Sequence, residues 1–153
     1  PVGPRLMTTP YPMEIIQIPN QERILMIYEG GAHIWREIYM DGREHPEGDA
    51  LNPTWLGYSV GHWDGDILVI EARGFNEKSW IDMLGDPHTD QLRITERYSR
   101  PDLYTLRYEA TLDDPGAYTE PWAIGFDIIW DPEGEMQEYI CQENNQWSGG
   151  LLW

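Results

Sequence analysis

The chain has 153 residues, 41% of them apolar, with 8 Trp and 9 Tyr; this suits one domain with one core and excludes a disordered polymer. Acidic residues outnumber Lys and Arg 27 to 10, and the formal charge of −17 repels nucleic-acid backbones and anionic membrane surfaces. No apolar run is long enough to cross a bilayer, and a single cysteine, Cys141, excludes an internal disulfide and a Cys-x-x-Cys zinc site.

Taken in chain order, residues 1–12 read as an extended lead-in and 13–18 (MEIIQI) as a short strand. Residues 22–29 and 32–40 alternate about Gly30-Gly31 and make a hairpin. Residues 54–63 and 66–74 make a second, reversed at Asp64-Gly65, a pair that tolerates the positive φ angles of a tight turn. Residues 76–84 (NEKSWIDML) are the one short helix, with Trp80, Ile81 and Leu84 on one side. Two more hairpins follow, 91–99 with 103–112 and 121–130 with 135–143, and 145–153 is a tail. Consecutive antiparallel strands must stack or close. The order predicts one all-β domain over 1–153, a single antiparallel up-and-down β-barrel of lipocalin type, with about eight or nine strands.

Alternation sorts the faces. Tyr104, Leu106, Tyr108, Ala110 and Leu112 form one apolar row, and Leu92, Ile94, Glu96 and Tyr98 another. Glu96 is a carboxylate in register with core residues. Arg36 is its counterpart, in the row Ala32, Ile34, Arg36, Ile38 and Met40. A charge inside a barrel is costly unless paired. Either Arg36 and Glu96 meet inside beside a ligand, or the strands splay at the rim and both reach water. The row His33, Trp35, Glu37 and Tyr39 is amphipathic and its face is open. Trp55, Gly57, Ser59, Gly61 and Trp63 share a row; His62 falls on the other, with Leu56, Tyr58 and Val60, as a rim histidine ending a core row.

Four histidines are present, His33, His45, His62 and His88, with no His-x-His spacing. His45 (DGREHPEG) and His88 (GDPHTD) lie in loops beside proline and acids. Loops at a barrel mouth are where function usually sits, and a histidine there can move protons near neutral pH. Each histidine can equally be a loop residue bonded to the backbone. GYSVG, residues 57–61, matches Gly-x-Ser-x-Gly, but it sits mid-strand and lacks the strand-to-helix elbow of a serine hydrolase. No phosphate-binding glycine loop precedes a helix, so no organic cofactor is expected. Cys141 is read as a buried thiol, or as a partner for a cysteine upstream of the chain. The segment 138–153 can line the barrel mouth with Glu143, or simply end a strand and fray.

The stretches PRLMTTPYPMEI, DGREHP, NPTWLGYSVGHWDGDILVIEARGFN, PHTDQLRITERYSR and DDPGAYTEPW resemble a group of bacterial proteins. The resemblance runs from Pro4 to about Asn144. It implies a secretion signal and an upstream segment, hence a trimmed start at Pro1 and a periplasmic or secreted location. It implies histidine at His45 and His88, arginine at Arg36 and Arg43, and the pair Glu96-Arg97. His62 departs from the pattern, which favours arginine there. No reaction is implied.

These observations lead to a small-molecule enzyme without organic cofactor, a lyase, isomerase or hydrolase acting on a cyclic or aromatic substrate. His45, His88 and Glu96 are its expected catalytic groups; Arg36, Trp55, Tyr58, Tyr108 and Glu143 are expected to bind substrate. One alternative is a non-catalytic lipocalin-like binder of a hydrophobic or sugar-like ligand. Another is a metal enzyme with His45, His88 and Glu96 as ligands. The expected partner is a small molecule; no nucleic acid and no membrane insertion are expected.

Overall fold

The structure is a computed structural model that describes residues 3–30 and 34–138, with backbone only at Asp49. The chain order is α1 (Gly3–Met7), β1 (Met13–Ile18), β2 (Arg23–Tyr28), β3 (Trp35–Tyr39), β4 (Tyr58–Asp64), β5 (Ile67–Arg73), β6 (Arg93–Ser99), β7 (Thr105–Asp113) and β8 (Trp122–Ile129). The eight strands form one sheet in sequence order, curled into a half-barrel. The all-β, lipocalin-like expectation therefore holds.

The sheet departs from a pure up-and-down meander at one place. β3 and β4 pair in parallel, Ile38 with Ser59 and Tyr39 with Val60, whereas every other adjacent pair is antiparallel. The long connection 40–57 makes this possible, because it returns the chain to the same end of the sheet. Where β4 passes β3 the residues must be small. A Cβ on Gly61 would lie 2.7 Å from Met40 Sδ and 2.9 Å from Ile38 Cγ2. Ser59 and Gly61 are therefore the inward row of β4, and His62 ends the outward one with Tyr58 and Val60. This reverses the sequence reading of that strand.

The helix is not where periodicity put it. Residues 76–84 form turns and bends, because Asp82 Oδ1 accepts the amides of Leu84, Gly85 and Asp86 at 2.8, 3.0 and 3.2 Å. A short acidic side chain that bonds nearby amides competes with helix hydrogen bonding. Among the described residues a helix forms instead at α1, within the segment expected to be extended. Pro4 suits a first helical turn, and Leu6 and Met7 are buried in the core. Residues 135–138 are not strand either: the amide of Gln137 donates to Glu29 Oε2 at 2.7 Å. The rest of the expected last strand, with Cys141 and Glu143, lies outside the described residues.

The core follows the alternation. Ile24, Met26 and Tyr28 of β2 face Ile70 and Ala72 of β5, Ile94 and Tyr98 of β6, and Tyr108, Ala110 and Leu112 of β7. Tyr104 precedes β7 and is exposed, but the rest of its row points inward. The two edge strands, β1 and β8, do not pair with each other. The inner residues of β8 are accordingly only half-buried. There α1 meets the sheet edge, and Met7, Thr8, Thr9, Phe126, Asp127 and Ile128 line a shallow cleft of about 360 Å³.

Candidate functional site: a polar centre inside the half-barrel

Arg36 projects inward from β3 and Glu96 from β6, and curling of the sheet brings these two strands face to face. Arg36 Nη2 lies 2.5 Å from Glu96 Oε2, with the two side chains 2% and 0% exposed. The contact is a charge pair without the alignment of a hydrogen bond. Glu96 Oε1 accepts the phenols of Tyr108 at 2.9 Å and Tyr98 at 3.2 Å. Arg36 Nε donates to Ser59 Oγ at 2.9 Å. The Tyr28 hydroxyl touches the sulfurs of Met26 at 3.4 Å and Met7 at 3.6 Å. So Arg36 and Glu96 meet inside the sheet and do not splay into water at a rim.

One unsatisfied nitrogen and one close approach mark this centre. Arg36 Nη1 is buried with no hydrogen-bond partner among the described residues. Above it sits the start of α1, pressed so close that a Cβ on Gly3 would lie 2.9 Å from Glu96 Oε1 and 3.1 Å from Arg36 Nη1. Burial pulls the Arg36 guanidinium down, but the Glu96 charge more than offsets this and holds it protonated. Burial, and then the Glu96 charge, push the phenols of Tyr98 and Tyr108 well up; burial does the same to Tyr28. All three therefore act as hydrogen-bond donors, not as phenolates.

The two loop histidines are elsewhere. His45 is buried, and its Nε2 donates to the Glu71 carbonyl at 3.0 Å. Its ring stands edge-on to Tyr58, with centroids 6.0 Å apart. Burial, then the Arg73 charge, hold its imidazole below the ordinary value. His88 is also buried; it bonds Ser79 at 2.9 Å and the Thr89 carbonyl at 3.1 Å and stands edge-on to Phe75. His45, His88 and Glu96 share no partner among the described residues.

Trp55 is exposed on the surface. Tyr58 belongs to an outer stack: its ring lies 5.0 Å from that of Tyr39, over which the guanidiniums of Arg43 and Arg23 sit at 4.0 and 5.5 Å. Of the described residues expected to bind substrate, Arg36 and Tyr108 belong to the polar centre and Trp55 and Tyr58 do not; Glu143 lies outside the described residues. Among the described residues no three His, Cys, Asp or Glu side chains converge to hold a metal ion, so His45, His88 and Glu96 are not a ligand set. Between the His45 and His88 loops lies an outer cleft of about 410 Å³, walled by Leu51, Arg73, Asp90, Arg93 and Asp113.

Tyr28, Tyr98 and Ser59 complete the centre without having been singled out. Tyr28 and Tyr98 were legible, since each is in register with its strand's core row. Ser59 and Gly3 were not, because only the parallel crossing and the path of α1 bring them to Arg36. Compared with protein-family models, with curated proteins and with solved structures, the chain matches none.

Proposed function

We propose that the protein binds a small molecule inside the half-barrel, with an anionic head group on Arg36 and an apolar or aromatic body toward the β8 edge. One observation carries this reading: among the described residues the buried Arg36 Nη1 has no well-aligned hydrogen-bond partner. Burying a charged donor without a partner costs more than a neutral one, and proteins keep few such groups. A carboxylate or similar oxyanion would satisfy Arg36 Nη1, and the neighbouring phenols would donate to it or stack on the body of the ligand. The seam between α1 and β8 supplies the entrance, and α1 must give way.

This favours binding over an acid–base enzyme that uses His45, His88 and Glu96 together, because the histidines are on other partners. The test is a titration of the full chain with 2-naphthoate, an aromatic carboxylate, and with its neutral amide. Saturable binding of the acid, weaker binding of the amide, and loss of the difference in Arg36→Gln are expected. Equal affinity for acid and amide would sink the proposal. A second readout guards against misfolding of the variant: in the unaltered protein, bound 2-naphthoate should perturb the tyrosine resonances of the core.

A further inference from the structure

We infer that Ser79 and His88 form a nucleophile–base pair able to transfer acyl groups from small apolar esters, at a site separate from the Arg36 centre. Ser79 Oγ lies 2.9 Å from His88 Nε2. The other ring nitrogen, Nδ1, lies 3.1 Å from the Thr89 carbonyl, which can only accept. In the neutral ring the proton is therefore on Nδ1, and Nε2 turns its lone pair to the Ser79 hydroxyl. Thr89 is itself held: its amide and its hydroxyl each donate to Asp114, at 2.6 Å and 2.6 Å. A hydroxyl on a base that a third group orients is the geometry of an activated nucleophile.

Two further observations point the same way. The backbone amides of Ser79 and Trp80 make no hydrogen bond among the described residues, whereas that of Ile81 donates to the Asp86 carbonyl and those of Leu84, Gly85 and Asp86 to Asp82. Free amides beside a nucleophile are what a developing oxyanion needs. The same loop exposes Trp80 at 60%, Met83 at 76% and Leu84 at 91%, while Ile81 is buried and anchors it. Large apolar side chains exposed on the loop that carries the hydroxyl suit an apolar acyl chain.

The chemistry balances within the site. Ser79 Oγ attacks the ester carbonyl carbon and its proton passes to His88 Nε2. The bond to the leaving oxygen breaks, and the alcohol departs with the proton from His88. Water then attacks the acyl-Ser79, giving a proton to His88, which returns it to Oγ as the carboxylic acid leaves.

The experiment uses the full chain and 4-nitrophenyl butyrate, following 4-nitrophenolate release, the intact mass and the site of any adduct. A butyryl adduct on Ser79 is expected. Release should fall roughly a hundredfold or more in Ser79→Ala and in His88→Gln, and stay unchanged in Ser99→Ala. Ser79→Cys should form a thioester much faster than Ser79→Cys combined with His88→Gln, a dependence on the base that a merely structural hydrogen bond would not produce; this comparison also decides the matter if Ser79→Ala does not fold. Unchanged release in folded Ser79→Ala overturns the assignment. So does an adduct at another residue, or a folded protein that neither the ester nor a fluorophosphonate labels on Ser79.

Discussion

Arg36 and Glu96 meet at 2.5 Å in the centre of the half-barrel, although they stand on strands three places apart in the sheet. Neither charge reaches water, so each is the main compensation for burying the other. Removing one partner leaves an uncompensated buried charge, which typically costs about 3–5 kcal/mol, whereas replacing both by apolar groups is often neutral or stabilising. Arg36→Met and Glu96→Leu should each lower the urea midpoint strongly, and the double variant should recover most of the loss. A double variant as unstable as the worse single one would mean that the pair sets the fold's packing and not only its own charge balance.

The Gly3 contact predicts how α1 responds to occupancy of the centre. A five-residue helix has little stability of its own. The Thr8 amide donates to the Pro4 carbonyl at 3.1 Å and the Thr9 amide to the Leu6 carbonyl at 3.3 Å. If 2-naphthoate takes Arg36 Nη1, α1 must lift and both amides should exchange with solvent faster. Gly3→Val, whose Cβ has no room over the ion pair, should lift α1 without ligand and tighten binding by roughly tenfold or more. Hydrogen exchange at Thr8 and Thr9 checks the first statement and titration of the variant the second.

His45 makes stability depend on pH in a defined direction. Burial, then Arg73, hold its folded pKa below the ordinary 6.5. The unfolded chain thus binds the proton more readily, so the stabilisation is complete above about pH 6.5 and is lost as pH falls through the folded value. His45→Gln keeps a donor for the Glu71 carbonyl and removes the titration. Urea midpoints measured at about pH 7.5 and about pH 5.5 should therefore differ less in the variant than in the unaltered protein. An identical difference would show that His45 is not the group responsible.

Asp114 holds the loop that carries His88. Beyond its two bonds to Thr89, it accepts the Gly116 amide at 3.1 Å, and it is 1% exposed. Asp114→Ala removes the acceptor of the half-buried Thr89 amide and hydroxyl and of the exposed Gly116 amide, at about 1 kcal/mol for each half-buried bond. The expected result is a lower melting temperature together with loss of any acylation of Ser79. 2-Naphthoate binding, which belongs to the other site, should persist in the folded fraction. Concurrent loss of both activities in a folded variant would mean that the two sites are coupled.

Much of the architecture was legible because alternation is a local signal. The rows through Ile94 and Glu96, through Tyr108 and Ala110, and through Arg36 and Ile38 all face inward as their spacing indicates. The readings that failed did so where local preference met a competitor. Asp82 captured the amides that a helix over 76–84 would have used. In β4 the need for close approach to Ile38 and Met40 put Ser59 and Gly61 inside, although Tyr58 and Val60 are the more apolar.

The sequence by itself determined an acidic all-β chain, the strands that carry its core, and a cation and a carboxylate placed on core rows. Those follow from composition and a period of two, which need no knowledge of distant neighbours. Only the tertiary structure decided that Arg36 finds Glu96, that α1 lies over them, and that Ser79 rather than Glu96 is the partner of His88. The first two join residues far apart in the chain through the curl of the sheet, and the third closes across a nine-residue loop of irregular course; such contacts leave no periodic trace in the order of the amino acids.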